Sequence, residues 1–348
     1  MKPISIFILI LLCISGCTQR QEPVAPPWGI ASDSTDAFDL DDIQQAGELI
    51  GLTLSGPDTY YDYHGHHLGV QYMLAEKFAS NLGVKLRVEV CRDTAEIYDR
   101  INGKEADFAF MRFDNDTTVA GWLVAEGKTA LAEELAAWYQ PEMTAEAKAE
   151  EHEWLTGGMI ERHVYAPMLS QGAISRYDLY FRTYGRRIGW DWRLLAALCY
   201  QESTFDPRAR SFAGAQGLMQ IMPSTADRLG LPANKMYDPE HNIEAGTRYL
   251  KQLERELSDV GDRVERQNLA MAAYNGGLNH IRDAMRLARR DGRNPHRWSD
   301  VKVYVLRLSE PRYYQDSLVR SGYMRGSETA QYVDDIRARF KKYKRSVR

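Results

Sequence analysis

Glu202 closes the run Leu194-Leu195-Ala196-Ala197-Leu198-Cys199-Tyr200-Gln201-Glu202-Ser203, in which Leu194, Leu198 and Glu202, and equally Leu195, Leu198 and Glu202, fall at helical spacing. A carboxylate at that spacing lies on the line that faces a core. Burial disfavours its charged form and raises its pKa. A carboxylic acid still protonated near neutral pH is what glycosidic cleavage requires. The same helix also fits a salt-bridged or capping glutamate, and alone it does not choose between the two. Downstream, Gly214-Ala215-Gln216-Gly217-Leu218-Met219-Gln220-Ile221-Met222-Pro223 supplies a glycine-rich turn with polar amides. Ser203 reads as a local hydrogen-bond partner of the acid rather than a nucleophile, because no His/Asp pair stands in a triad pattern. Asp206 before Pro207 and Asp238 before Pro239 read as turn or cap residues, so neither is assigned as a second catalytic group.

The elements that must position these residues are helices. Asp191 is an N-cap for the Glu202 helix. Pro223 opens a short helix that Gly230 closes, and Asp238-Pro239 is an N-cap and first-turn proline pair. That pair starts a helix with Ile243, Leu250, Leu253 and Leu257 on one face. Val264 to Tyr274 forms another, stopped by Asn275-Gly276-Gly277, and Leu278 to Ala288 follows. Glu328 to Tyr343 closes the chain with a stripe of Tyr332, Val333, Ile336 and Phe340. Upstream the pattern changes. Leu49 to Leu54 reads as a strand, Leu68 to Leu82 as a helix, Val84 to Val90 as a strand, Thr94 to Ile101 as a helix and Asp107 to Met111 as a strand, an order that implies a small parallel sheet with right-handed crossovers. Gly121-Trp122-Leu123-Val124 reads as a return strand. His64, His66 and His67 sit in a Tyr/Gly-rich segment with no acidic or thiol partner at ligand spacing, which reads as a solvated loop and not a metal site.

The N-terminus addresses the compartment. Lys2 precedes an apolar run from Ile4 to Ile14 and then Ser15-Gly16-Cys17. The run is too short for an ordinary membrane span and fits an export signal. Small residues directly before a cysteine resemble a bacterial lipoprotein processing site, which implies cleavage before Cys17 and acylation of that residue. A plain secretory signal with an incidental cysteine is the alternative. Thr18, rather than an aspartate, favours outer over inner membrane under the common sorting pattern. Cys91 and Cys199 read as isolated buried thiols. The chain of 348 residues carries a net charge of -4, which gives no global basic field for nucleic acid. The expected layout is a signal peptide over 1–16, a flexible tether over 17–42, an α/β domain over 43–140, a helical connector over 141–173 and an all-helical domain over 174–348.

Two resemblances sharpen this reading. Gln201-Glu202-Ser203, Gly217-Leu218-Met219-Gln220-Ile221-Met222-Pro223, Ala273-Tyr274-Asn275-Gly276-Gly277 and Glu328-Thr329-Ala330-Gln331-Tyr332-Val333 resemble, in order and spacing, the lysozyme-like lytic transglycosylases of bacteria, the family that includes goose-type lysozyme. Gly189 to Ala197 and Gly322 to Gly326 resemble the branch in which a solute-binding-like domain precedes the catalytic one. Tyr60-Tyr61, Tyr72 to Ala79, Leu82-Gly83-Val84 and Gly103 to Asp107 are similar to one lobe of the periplasmic solute-binding proteins, and the second lobe is missing. The expected fold is therefore α+β in two domains: a small α/β solute-binding-like lobe with a parallel sheet, then an all-α lysozyme-like domain. The truncated lobe implies a spacer or protein-contact module rather than an amino-acid or peptide binder.

The family implies that Glu202 is a single acid/base acting on peptidoglycan glycan strands. It would protonate the oxygen between N-acetylmuramic acid and N-acetylglucosamine. It would then take the proton of the muramoyl C6 hydroxyl, which closes on the anomeric carbon to give a 1,6-anhydro end. Internal attack removes the need for the second carboxylate of ordinary glycosidases. Ser211, Gln220, Tyr274, Asn275 and Tyr332 match positions that line the sugar groove or touch the acid. Tyr274 and Tyr332 are expected to hydrogen-bond Glu202, and Met219 and Met222 to line the groove floor or the core. No metal or other cofactor is implied. A hydrolytic muramidase and a non-catalytic wall-binding scaffold are the alternatives.

Overall fold

A computed structural model describes residues 38–113, 118–156, 159–161 and 172–347. The expected signal, the acylation at Cys17, most of the tether and part of the connector lie outside the described residues. Helix α1 (Leu40–Ala46) begins inside the stretch expected to be tether. Asp39 makes it do so: its carboxylate caps Leu40 in a capping box with Asp42, and it also accepts from the Ala130 and Leu131 amides at 2.8 and 3.1 Å.

Strand β1 (Glu48–Leu54) is the centre of the sheet. A hairpin of β2 (Tyr61–Tyr63) and β3 (His66–Leu68) follows, then α2 (Val70–Asn81), β4 (Lys85–Cys91), α3 (Thr94–Asn102), β5 (Phe108–Ala109), β6 (Leu123–Val124), α4 (Thr129–Trp138) and α5 (Pro141–Thr156). The sheet order is β4-β1-β5-β6, with β4 and β5 parallel to β1 and the edge strand β6 antiparallel. The parallel core fits the crossovers read from the sequence, and the return strand adds the antiparallel edge. Both faces are covered, as a parallel sheet demands. Met73, Leu74 and Phe78 of α2 pack with Leu49, Phe108, Phe110 and Trp122 on one face; Ile97 and Ile101 of α3 pack with Leu52, Ala109 and Leu123 on the other.

The hairpin departs from the solvated loop expected around His64. Tyr61 pairs with Leu68, Asp62 with His67 and Tyr63 with His66 in antiparallel register. The two turn residues, His64 and Gly65, both take positive φ, at 51° and 77°. That pair is the turn whose twist suits a two-residue hairpin, and glycine supplies the second position without strain.

After β7 (Met159–Glu161) the described residues from 178 onward are mainly helical. Helix α6 (Asp178–Ile188) leads into α7 (Trp192–Ser203), whose Leu194 to Cys199 are all fully buried. Strand β8 (Arg210–Ser211) pairs with β7. Then come α8 (Pro223–Leu229), α9 (Pro239–Glu256), α10 (Arg263–Gly276), α11 (Leu278–Arg290), α12 (Trp298–Arg307), α13 (Pro311–Tyr314) and α14 (Gly326–Ser346). Asp191, Asp238 and Asp262 each accept a first-turn amide, and Gly189 and Gly230 end their helices in the left-handed region. One apolar cluster, built on Leu195, Leu198, Leu269, Ala272, Ile281, Val305 and Val333, runs through all of these helices, taking in Ala226 and Leu229 of α8 and Tyr313 of α13. Cys91 and Cys199 are buried free thiols. No helix among the described residues is long and apolar enough to cross a membrane.

The two layers meet over polar and aromatic contacts. The Tyr323 amide donates to Ser55 Oγ at 2.8 Å, and Tyr323 stacks edge-on against Tyr61 and Tyr314. His66 Nε2 lies 2.6 Å from the Ala213 carbonyl oxygen, and Trp154 of α5 sits between the His66 and Phe212 rings.

Candidate active site

Helix α7 runs through the core and delivers Glu202 at its last turn, where Thr204 and Phe205 take positive φ and swing the chain away. The carboxyl is partly exposed, into a groove of about 1000 Å³. Tyr332 on α14 donates its hydroxyl to Glu202 Oε1. Burial pushes the Glu202 carboxyl up to about 7; the Tyr332 bond and the charge of His64 pull it down, and Glu328 pushes it up. An acid of that strength holds and releases a proton near neutral pH.

The loop over 214–222 forms the groove wall opposite α14. Gly217 sits at φ +78°, where a Cβ would stand 2.5 Å from both Asn242 Nδ2 and the Met236 carbonyl oxygen. Asn242, wholly buried, holds the loop: its Oδ1 accepts from the Met219 amide at 2.7 Å, and its Nδ2 donates to Met236 O at 2.7 Å and Gln216 O at 3.1 Å. Gln220 lines the groove, with Nε2 donating to Gly217 O and Ala209 O at 2.8 and 3.1 Å.

The other residues singled out from the sequence divide. Ser211, Tyr274, Asn275 and Met222 line the groove with Glu202, Gln220 and Tyr332. Ser211 Oγ accepts from the Ala215 amide at 3.0 Å, and Asn275 Oδ1 accepts from Thr329 Oγ1 at 2.6 Å. Tyr274 does not hydrogen-bond the acid as expected. Its hydroxyl donates to Met219 O at 2.7 Å, so it braces the loop while its ring faces the groove. Met219 is a correction to the groove-floor reading: it is fully buried and packs against α9 at Gly246. Ser203 is buried behind the groove, with its hydroxyl 2.8 Å from Leu218 O and 3.2 Å from Cys199 O, so it ties α7 to the loop.

Sequence reading missed the charged pair beside the acid. His64 Nε2 meets Glu328 Oε1 at 2.9 Å, and Tyr63 donates to Glu328 Oε2 at 3.1 Å. Burial works to raise the Glu328 carboxyl, but His64, Tyr63 and Arg325 outweigh it and hold it below the usual range. Burial works to lower His64, but Glu328, Glu202 and Asp62 outweigh it and hold the imidazole above its ordinary value. The signals were present: Glu328 opens the last of the four motifs, and His64-Gly65 between tyrosines is a turn pair. Asn242 carried no local signal, because its role lies in the loop it holds from another helix.

A helical domain that presents to an open groove a carboxyl raised toward neutral pH, with a tyrosine bonded to it, is the class of site defined here. Residues 179–296, within the helical part of the chain, match the family model described as the Transglycosylase SLT domain. The chain is 37% identical over 180 residues to the membrane-bound lytic murein transglycosylase F of Pseudomonas putida strain GB-1, covering 52% of this chain and 36% of that protein. It is 39% identical over 180 residues to the protein of the same name from Stutzerimonas stutzeri, with the same coverage. The chain thus spans about a third of the length of these curated relatives. Among solved structures, the 70 kDa soluble lytic transglycosylase of Escherichia coli is similar over 61% of this chain and 28% of that one, at 22% identity and a TM-score of 0.32.

Proposed function

We propose that this chain is a peptidoglycan lytic transglycosylase that cleaves between N-acetylmuramic acid and N-acetylglucosamine and leaves 1,6-anhydro ends, in the turnover or remodelling of the cell wall. The SLT domain and the names of the relatives support the reaction class. The observation that carries the reading is the Glu202 carboxyl, raised to about 7 inside a sugar-sized groove and bonded by Tyr332. As the acid, Glu202 protonates the leaving oxygen; as the resulting carboxylate, it takes the proton of the C6 hydroxyl that attacks the anomeric carbon. Ser211 and Asn275 offer hydroxyl and amide groups along the groove for the sugar, Tyr274 offers its ring, and Gln220 shapes the wall with its amide bonded to Gly217 O and Ala209 O. Ser203, Met219 and Asn242 support the loop from behind.

Glu328 gives the hydrolytic reading its one specific observation, since a second carboxylate lines the groove. An inverting glycosidase needs that group as a free base for water, and a retaining one needs it as a free nucleophile. Here both Glu328 oxygens are taken, one by His64 and one by Tyr63. Asp62 and Asp335 also line the groove, with Asp62 Oδ1 accepting from the Gly65 amide and Asp335 Oδ1 from Gln331 Nε2, and internal attack by the sugar hydroxyl asks for none of these carboxylates as base or nucleophile.

The residues Ser15-Gly16-Cys17 behind the apolar run support acylation of Cys17, with the protein held on the periplasmic side of the cell envelope and, from Thr18, in the outer membrane. The domain layout belongs to the same proposal: 43–140 and 141–173 as lobe and connector, 174–348 as the catalytic part.

Digestion of purified sacculi followed by mass analysis of the muropeptides tests the reaction. Anhydro ends are expected, with loss of turnover in Glu202→Gln; reducing ends would establish a muramidase instead. Digestion by Glu202→Gln at the parental rate would remove Glu202 from its role.

A further inference from the structure

The groove has walls from both halves of the chain. Asp62, Tyr63, His64 and Gly65 of the hairpin, with Trp154 of α5, line it together with the helices around Glu202. We propose that the β2–β3 hairpin is a working part of this site: His64, carried across from the α/β layer and clamped by Glu328, is a positioning residue that sets its imidazole beside the acid and makes the acid's surroundings a property of both halves of the chain. The inference rests on the reading of Glu202 as the group that cleaves glycan.

The geometry is specific at each step. A two-residue turn with both φ positive puts His64 at the hairpin tip. Tyr61 and His66, on opposite sides of the turn, anchor the hairpin. The first donates to Glu151 of α5 at 3.0 Å and the second meets the Ala213 carbonyl oxygen of the helical half at 2.6 Å. The tip itself closes on α14, through His64 to one oxygen of Glu328 and Tyr63 to the other. A hairpin that only joined the two halves would not need its charged ring on the one helix that also carries Tyr332, four residues from Glu328 and one helical turn along the same face.

The charged and titratable groups around Glu202 come from four elements. Cys199 lies on its own helix, Tyr274 on α10, Tyr332 and Glu328 on α14, and His64 on the hairpin. Around His64 stand Glu328, Glu202 and Asp62, and Arg325 faces Glu328. Among the groups that act on Glu202, His64 is the cation that favours its carboxylate and Glu328 the anion that opposes it. As a pair they leave the acid with little net charge beside it. Broken, they do not.

The test is the pH profile of sacculus digestion by the full chain. His64→Ala removes the closest partner of Glu328 and leaves it only Tyr63 and Arg325, so the alkaline limb of the profile moves up by about one pH unit. His64→Gln, which keeps a polar side chain in the turn, moves it the same way. The double variant His64→Ala/Glu328→Gln removes both charges and returns the limb toward the parent. A merely structural hairpin predicts the opposite order, with the double variant worse than the single and the limb fixed in all of them. An unmoved limb in His64→Ala, or a double variant displaced as far as the single one, overturns the inference while a Glu202-dependent parent activity leaves the proposed function standing. Parental digestion by Glu202→Gln overturns both.

Discussion

A carboxyl raised by burial works against the fold once it ionises, and the size of that effect at Glu202 is measurable. The group moves from 4.5 to about 7 on folding, with burial the leading cause. At about 1.4 kcal/mol per unit the folded state therefore loses up to ~3 kcal/mol when the carboxylate forms. The side chain is partly open to the groove, which trims the figure to about 2–3 kcal/mol. A group whose folded pKa lies above its unfolded value adds stability that is complete below the unfolded value. That stability is lost as pH rises through the folded one, so the window runs from 4.5 to about 7. Glu202→Gln keeps the shape and removes the charge. Urea unfolding of parent and variant across pH 4 to 8 should show nearly equal stability at the acid end. The variant should be more stable by about 2–3 kcal/mol from pH 8 upward, with the gap opening between those limits. Using the difference between the two chains cancels the titrating groups distant from Glu202 and leaves only its own ionisation and that of the neighbours it acts on, His64 foremost. A gap that stays constant with pH, or a parent that gains on the variant as pH rises, would refute the account of Glu202 as an acid held protonated by burial.

Tyr332→Phe removes the hydroxyl that favours the Glu202 carboxylate, and a hydrogen bond to a charged group contributes about 1.5–3 kcal/mol, so the alkaline limb of the activity profile should rise by about one to two pH units; an unchanged limb would mean the bond is absent in the working enzyme. Asn242→Ala leaves the Met219 amide and the Met236 carbonyl without their partner, and it should destabilise the chain by about 2–4 kcal/mol in urea unfolding and depress sacculus digestion at every pH without moving the limbs. A variant with parental stability would show that the Gly217 to Gln220 loop is held by other means.

The sequence made the core of the site readable because its signals are local. Asp191 caps α7, apolar residues fall three and four apart behind Glu202, and Gly217 marks the turn that follows. The parallel sheet was readable for the same reason, as strands and helices alternate from β1 to β5. What stayed hidden depends on partners far along the chain. Helix α12 has no side-chain cap of its own; the Trp298 amide is capped at 2.7 Å by Glu265 from α10. The hairpin strands are only three residues each, too short for their alternation to stand out, and the Tyr61–Leu68 pair in the core, the turn and the contacts to Glu151, Ala213 and Glu328 fix them as a pair. Met219 and Met222 look alike in sequence, yet the first is held inward by Asn242 and the packing at Gly246 while the second faces the groove.

The matched SLT segment ends at residue 296, whereas the groups that act most directly on the acid's proton lie outside it: Tyr332 and Glu328 on α14, and His64 before residue 100. The matched helices place the carboxyl and bury it, which fixes the direction of its shift. The later helix and the hairpin decide how far the shift is opposed, because they bring the bonded hydroxyl and the paired charges. Burial and polar opposition act with opposite sign on the same group, so neither part alone sets the acid near neutral. On the inference above, the α/β lobe acts on the acid as well as linking to it: deleting the lobe would remove His64 and Tyr63, the two groups bonded to Glu328, and so change what surrounds Glu202.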